Sequence, residues 1–175
     1  MVSFQRRIDM KKIIGLLTLL LLLFTVPTHA ATTIKPKSCK YTTSVKKVNA
    51  KKVTTGTYTV KLKGNGYMKF TPSATRTYEF KFSSVKTKFS YALGSVIFQK
   101  ADGKQLKNIS VKTDGGKTDM INPATRNDAV DEDEPAELYL KTRSAKMKLT
   151  KGEALYIYFN FVGADSVNMK IKKMG

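Results

Sequence analysis

The 175 residues contain one cysteine, one histidine and no tryptophan. A single thiol excludes an internal disulfide framework and any multi-cysteine metal site. Negative charge is also sparse, with 13 Asp and Glu against 32 Lys and Arg, a formal net charge of +19. Outside Ile13–Val26 no stretch approaches the roughly 18 apolar residues of a membrane-crossing helix. The length suits one ordinary domain, because two would each have a thin core.

Residues Met1–Ala30 read as a secretory signal peptide. Arg6, Arg7, Lys11 and Lys12 form the positive n-region, Ile13–Val26 the apolar h-region, and Thr28-His29-Ala30 a cleavage site before Ala31. The rival reading, an uncleaved anchor, needs a run long enough for about 30 Å of hydrocarbon, and this one is too short. Cleavage lowers the net charge from +19 to +16 and takes His29 with it. The exported chain then has no histidine for a Ser-His-Asp or Cys-His site. Cys39 sits well inside that chain, away from the cleavage point where a lipidated cysteine would stand. It is either an intermolecular disulfide partner or a tolerated lone thiol. The expectation is a secreted, extracellular or cell-surface-associated monomer with no membrane span after cleavage.

Residues 31–52 form a basic leader rich in Thr, Lys, Ser and Asn, with a first edge strand expected around Cys39–Val48. Residues 53–175 form the body, and there apolar residues alternate with period two, the mark of half-buried strands. Tyr58, Val60 and Leu62 oppose Thr57, Thr59, Lys61 and Lys63, and Gly64-Asn65-Gly66 supplies a tight turn. Tyr67–Phe70 is a short strand ended by Pro72. Tyr78, Phe80 and Phe82 alternate with polar neighbours, and Tyr91–Lys100 leads through Asp102-Gly103 to Gln105–Thr113. Residues 114–135 show no periodicity and read as a long loop. Strands resume at Glu137–Thr142 and Ala145–Leu149. Ala154–Val162 is apolar on both faces and therefore central, and Val167–Ile171 closes the chain. About eight or nine short strands with no amphipathic helix make an all-β antiparallel sandwich.

Three phrases, in order, carry a family resemblance. They are Tyr67-Met68-Lys69-Phe70-Thr71-Pro72 before Thr77-Tyr78-Glu79-Phe80; Val96-Ile97-Phe98 before Asp102-Gly103; and Leu149-Thr150-Lys151-Gly152-Glu153 before Tyr156-Ile157-Tyr158. With the closing Val167–Ile171 strand, they resemble the bacterial pre-peptidase C-terminal domain across Gly56–Lys173. The resemblance implies a jelly-roll-like sandwich and a non-catalytic accessory or binding module. The acidic segment at 128–137 and the lysine load depart from that family's pattern.

Catalysis has few residues to use. Serine and lysine are plentiful without any positioning motif, and the single cluster of carboxylates lies in one polar loop rather than across a cleft. That cluster holds Asp128, Asp131, Glu132, Asp133, Glu134 and Glu137. Calcium takes six to eight oxygens, and Asp128, Asp131, Asp133 and Glu134 are the candidate ligands. The glycine-punctuated order of an EF-hand is missing, and a solvated acidic loop neutralised by lysines is the alternative. No other cofactor is expected.

Lysines occupy the polar phase of the strands: Lys61, Lys63, Lys81, Lys146, Lys148, Lys170 and Lys172. If these strands are neighbours, one sheet face becomes a basic platform for a polyanion; edge lysines that block aggregation are the plainer reading. Arginine, the usual reader of base edges, is scarce, which argues against dedicated nucleic-acid recognition. Tyr67, Tyr91, Tyr139, Tyr156 and Tyr158 could stack on sugar rings or simply pack. The sequence therefore points to an exported module, from a bacterium with a one-membrane envelope, that associates through lysines with an anionic envelope polymer. The alternatives are a carbohydrate-binding or adhesion module, calcium-dependent or not, and a protein partner of a secreted hydrolase.

Overall fold

A computed structural model describes residues 30–107, 109–111, 117–126 and 142–175. Residues 31–175 form one compact unit that contains both hydrophobic clusters described below. Its strands are β1 (Thr32–Ile34), β2 (Lys37–Ser38), β3 (Lys51–Val53), β4 (Gly56–Lys61), β5 (Gly66–Phe70), β6 (Arg76–Thr87) and β7 (Tyr91–Lys100). After these come β8 (Ile109–Val111), β9 (Lys117–Thr118), β10 (Ala124–Arg126), β11 (Thr142–Leu149), β12 (Leu155–Val162) and β13 (Ala164–Lys173). A single 3-10 turn, Val45–Lys47, is the helical element among the described residues.

The strands form two sheets. Sheet one runs β1-β4-β13-β6-β11-β8-β9, and sheet two runs β10-β7-β12-β5-β2, with β3 also on β5. Pairing is antiparallel except for β1 with β4 and β3 with β5. The all-β sandwich expected from period-two alternation is what the chain adopts. Strands outnumber the expected eight or nine because very short pieces pair at the sheet margins, where a two- or three-residue ladder leaves too little pattern to read.

Inward side chains of both sheets build the main core. Phe80 of sheet one meets Phe70 and Phe98 of sheet two edge to face, with ring centroids 5.5 and 5.2 Å apart. Phe82 packs on Phe159 at 6.1 Å in the same manner. Each such ring, fully buried, contributes roughly 1.5–3 kcal/mol by area alone, and the tilted geometry adds to it. β12 lies between β7 and β5, as its two apolar faces require.

Residues 31–52 do not hang off this body. They supply β1 to sheet one and β2 and β3 to sheet two. The stretch expected to be an edge strand, Cys39–Val48, instead crosses the outer face of sheet two. There Val45 and Ala50 bury Tyr67, Tyr156 and Tyr158, with Cys39 and Val48 packed alongside. A buried polar network secures this cover. The Tyr67 hydroxyl accepts from Thr42 N at 3.0 Å and shares its single proton between Gln99 Oε1 at 2.9 Å and Thr42 O at 3.2 Å. Gln99 Nε2 donates to the carbonyls of Thr42 and Gly103, both at 3.0 Å.

Two further differences from the alternation pattern matter below. Residues 114–135 include β9 and β10, so that stretch is not loop throughout. Ser84 adopts φ 52, the left-handed region, inside β6. Asn168 pairs with Ser83 and Ser166 with Lys86, so the register shifts there. The extra residue is a bulge. It moves Lys86 out of the inward phase of Phe80 and Phe82, and Lys86 is exposed while Val85 is buried.

Candidate functional site

Sheet one brings the expected lysines together on its outer face. Lys61 (β4), Lys170 and Lys172 (β13), Lys81 (β6), and Lys146 and Lys148 (β11) are exposed, on four strands adjacent in the sheet. Lys63 follows β4 and is also exposed. The register sets Lys170 directly opposite Lys81, a like-charge pair that costs stability when close. Glu79 lies opposite Lys172 on one side and Lys146 on the other, and closes an ion pair with neither.

At the β11 edge this face opens into a groove. β8 pairs with β11 through Ala145–Val111 and Lys146–Ser110, and Met147, Lys148 and Leu149 beyond that pairing line the groove wall. The groove has a volume of about 1000 Å³ and also takes Lys46, Lys69, Lys100 and Lys107, over apolar contributions from Leu106, Leu155 and Tyr156. Asp102 and Glu153 are its carboxylates. Asp102 is engaged by Lys104, accepting from its backbone N at 2.9 Å and lying 4.0 Å from its Nζ. That is the ion pair found among the described residues; none of the six groove lysines makes one there.

The fold explains each position. Lys69 alternates outward between buried Met68 and Phe70, opposite Tyr156, and its Nζ stands 5.7 Å from that ring. Lys100 ends β7. Lys107 follows Leu106, whose N donates to Phe98 O at 2.8 Å. Lys46 is carried by the 3-10 turn whose neighbour Val45 is fully buried. A smaller recess of about 290 Å³ shares Lys46, Lys69 and Tyr156 and adds Lys47 and Lys52. Sequence reasoning found Lys146 and Lys148 but missed Lys46, Lys69, Lys100 and Lys107. For Lys69 the outward phase of the strand was a usable signal. Lys46 had none, because its place depends on the leader folding over sheet two.

Three of the five candidate tyrosines are closed to a sugar ring. Tyr67, Tyr156 and Tyr158 are buried beneath the leader, because a sheet face rich in aromatic rings is best covered by apolar chain. Burial also pushes the Tyr67 hydroxyl up to about 12, and raises that of Tyr158. Tyr91 is half exposed, and Tyr139 lies outside the described residues. Asp128, Asp131, Asp133 and Glu134 also lie outside them. Among the described residues no three His, Cys, Asp or Glu side chains gather as a metal site. No described helix is long and apolar enough to cross a membrane. Cys39 is partly buried, with its N donating to Asn65 O at 3.2 Å.

No family model matches the chain, and no curated protein matches it. Among solved structures it is similar to CorA of Methylomicrobium album BG8, described as a surface-associated copper-binding protein important in copper acquisition. That likeness has a TM-score of 0.40 and 8% identity, and covers 81% of this chain and all of the other.

Proposed function

We propose that the protein is an exported, non-catalytic binding module that holds an anionic polymer of the bacterial envelope, a teichoic acid or acidic glycan, in its lysine-lined groove. The observation that supports this best is six lysines around one groove without a carboxylate partner among the described residues. Clustered ammonium groups raise the local potential, concentrate polyanions and release their counterions on binding. The remaining lysines of sheet one extend that field beyond the groove. Lysine suits this work because it is a mobile point charge that tolerates irregular phosphate or carboxylate spacing. The absence of histidine after residue 29 leaves the groove without the usual general base. An accessory role of this kind is also what the pre-peptidase C-terminal resemblance implies.

The test is sedimentation of the 31–175 chain with purified cell walls, intact and stripped of teichoic acid, across a NaCl series. Retention should fall at least about tenfold between about 0.1 M and about 0.4 M NaCl, since screening and counterion competition both grow with salt. Lys146→Glu with Lys148→Glu should cause a similar loss at low salt. Salt-resistant retention, or retention unchanged in that double variant, would refute the groove as the binding site.

A further inference from the structure

The groove continues past Lys46 and Lys69. The recess of about 290 Å³ shares those two lysines and Tyr156 with it, and shares Asn49, Ala50 and Lys52 with a third recess of about 520 Å³. The three depressions form one course, from the β11 edge across the outer face of sheet two and along the leader. Lys47 and Lys52 line its middle, and Lys35, Lys37 and Lys51 its far end. Local structure turns these side chains outward. Val45 and Ala50 are buried against sheet two, which leaves Lys46 and Lys47 between them exposed. β3 pairs with β5 so that Lys52 stands beside Lys69, and Lys69 stands beside Tyr156 of β12. From β7, which ends in Lys100, to β3 is three strand spacings, about 14 Å.

Charge along the course has one sign. Among the described residues none of its lysines makes an ion pair, and no carboxylate lines either recess. Lysines in register, as Lys52 and Lys69 are, repel one another, a cost that a bound anion relieves. Arg126 and Thr142, the described residues on either side of 127–141, stand at the ends of β10 and β11 away from the groove: Arg126 is opposite Tyr91 at the start of β7, and Thr142 begins the strand that Leu149 ends.

We propose that a linear polyanion with a charge on each repeat lies along this whole course, so that the protein recognises an extended chain and the leader is part of the binding site. The proposal rests on the groove function given above and adds the length of ligand the site takes. A short anion meets the groove lysines alone. A longer one reaches Lys52 and Lys51 without a second loss of translational freedom, and each further ammonium it engages releases more counterions. Single-stranded nucleic acid fits the course less well, because it gains from bases stacked on open rings. Tyr156 is the aromatic in the lining and is 3% exposed.

The test compares tripolyphosphate with long-chain polyphosphate, at equal phosphate, on the 31–175 protein by calorimetry across a NaCl series. Long chains should bind at least about tenfold tighter, with a log–log salt slope steeper by about one or more. Lys51→Gln with Lys52→Gln should weaken the long chain at least about fivefold and leave tripolyphosphate within about twofold. Lys86→Gln with Lys88→Gln removes the same charge from exposed positions outside the three depressions and should change long-chain binding less than about twofold. Equal affinity for the two probes, a leader variant no weaker than that control, or tighter binding of oligothymidylate than of polyphosphate would overturn the proposal while leaving the groove in place. Tripolyphosphate binding that survives Lys146→Glu with Lys148→Glu would instead remove the groove as the site, and the extended course with it.

Discussion

Replacing Tyr67 by phenylalanine removes one oxygen and strands two hydrogen-bonding groups where the leader meets sheet two. The ring stays packed, so the cost comes from the network. Thr42 N loses its acceptor and Gln99 Oε1 its donor, while Thr42 O keeps Gln99 Nε2. Each stranded group in a buried setting costs about 1–3 kcal/mol. Thr42 is partly open to water, so the sum should lie near 3 kcal/mol, which for a domain of this size lowers Tm by roughly 6–12 °C. Tyr58→Phe is the matched control. Its hydroxyl bonds to the N and O of Thr54, which is exposed, so water can replace it at a cost of about 1 kcal/mol or less.

Alkaline pH gives a second signature of the same residue. The Tyr67 hydroxyl titrates near 12 in the folded chain because burial penalises the phenolate, against 10.0 when unfolded. Below pH 10 both states keep the proton and the contribution is complete. Between pH 10 and about 12 only the unfolded state loses it, so wild-type stability falls by about 1.4 kcal/mol per pH unit from this group. The phenylalanine variant lacks that part of the slope. Because the leader carries Lys46 to the groove, the variant should also lose wall retention near its unfolding range. Urea titrations of wild type, Tyr67→Phe and Tyr58→Phe at neutral and alkaline pH measure all of this. A Tyr67→Phe loss below about 1 kcal/mol, or one no larger than the control, would refute the latch.

Two further outcomes are expected. Gly94→Ala should destabilise by about 1–3 kcal/mol in thermal melts, because the added methyl would overlap the Phe161 ring across the strand pair and overpacked cores are costly. Glu79→Lys should separate stability from binding. It replaces the carboxylate between Lys146 and Lys172 with a third positive charge, lowering stability by about 1 kcal/mol while steepening the salt dependence of wall retention.

Much of the fold is legible in the alternation of the sequence. Tyr91–Lys100 and the Tyr67–Phe70 strand stand where alternation put them, because a half-buried strand must place every second side chain in the core. The doubly apolar β12 is central for the same reason. The outward phase of Lys61, Lys81, Lys146, Lys148, Lys170 and Lys172 follows directly, so one face of sheet one was half written in the pattern. Other features have no local signature. Nothing at Ser84 announces a left-handed residue, since serine lacks the freedom of glycine. β10 lies in a polar stretch because its pairing with β7 comes from contacts distant in sequence.

What the sequence by itself determined is the class of fold and the sign of the surface: period two fixes faces, and an excess of lysine fixes charge. Only the tertiary structure decided which lysines converge. Lys46, Lys69, Lys100 and Lys146 come from four separate stretches and share a groove because sheet order and the leader's path bring them there. The same holds for Tyr67, Tyr156 and Tyr158. Their spacing left open whether they stack on a ligand or on the protein's own chain, and the leader across sheet two settled it by covering them.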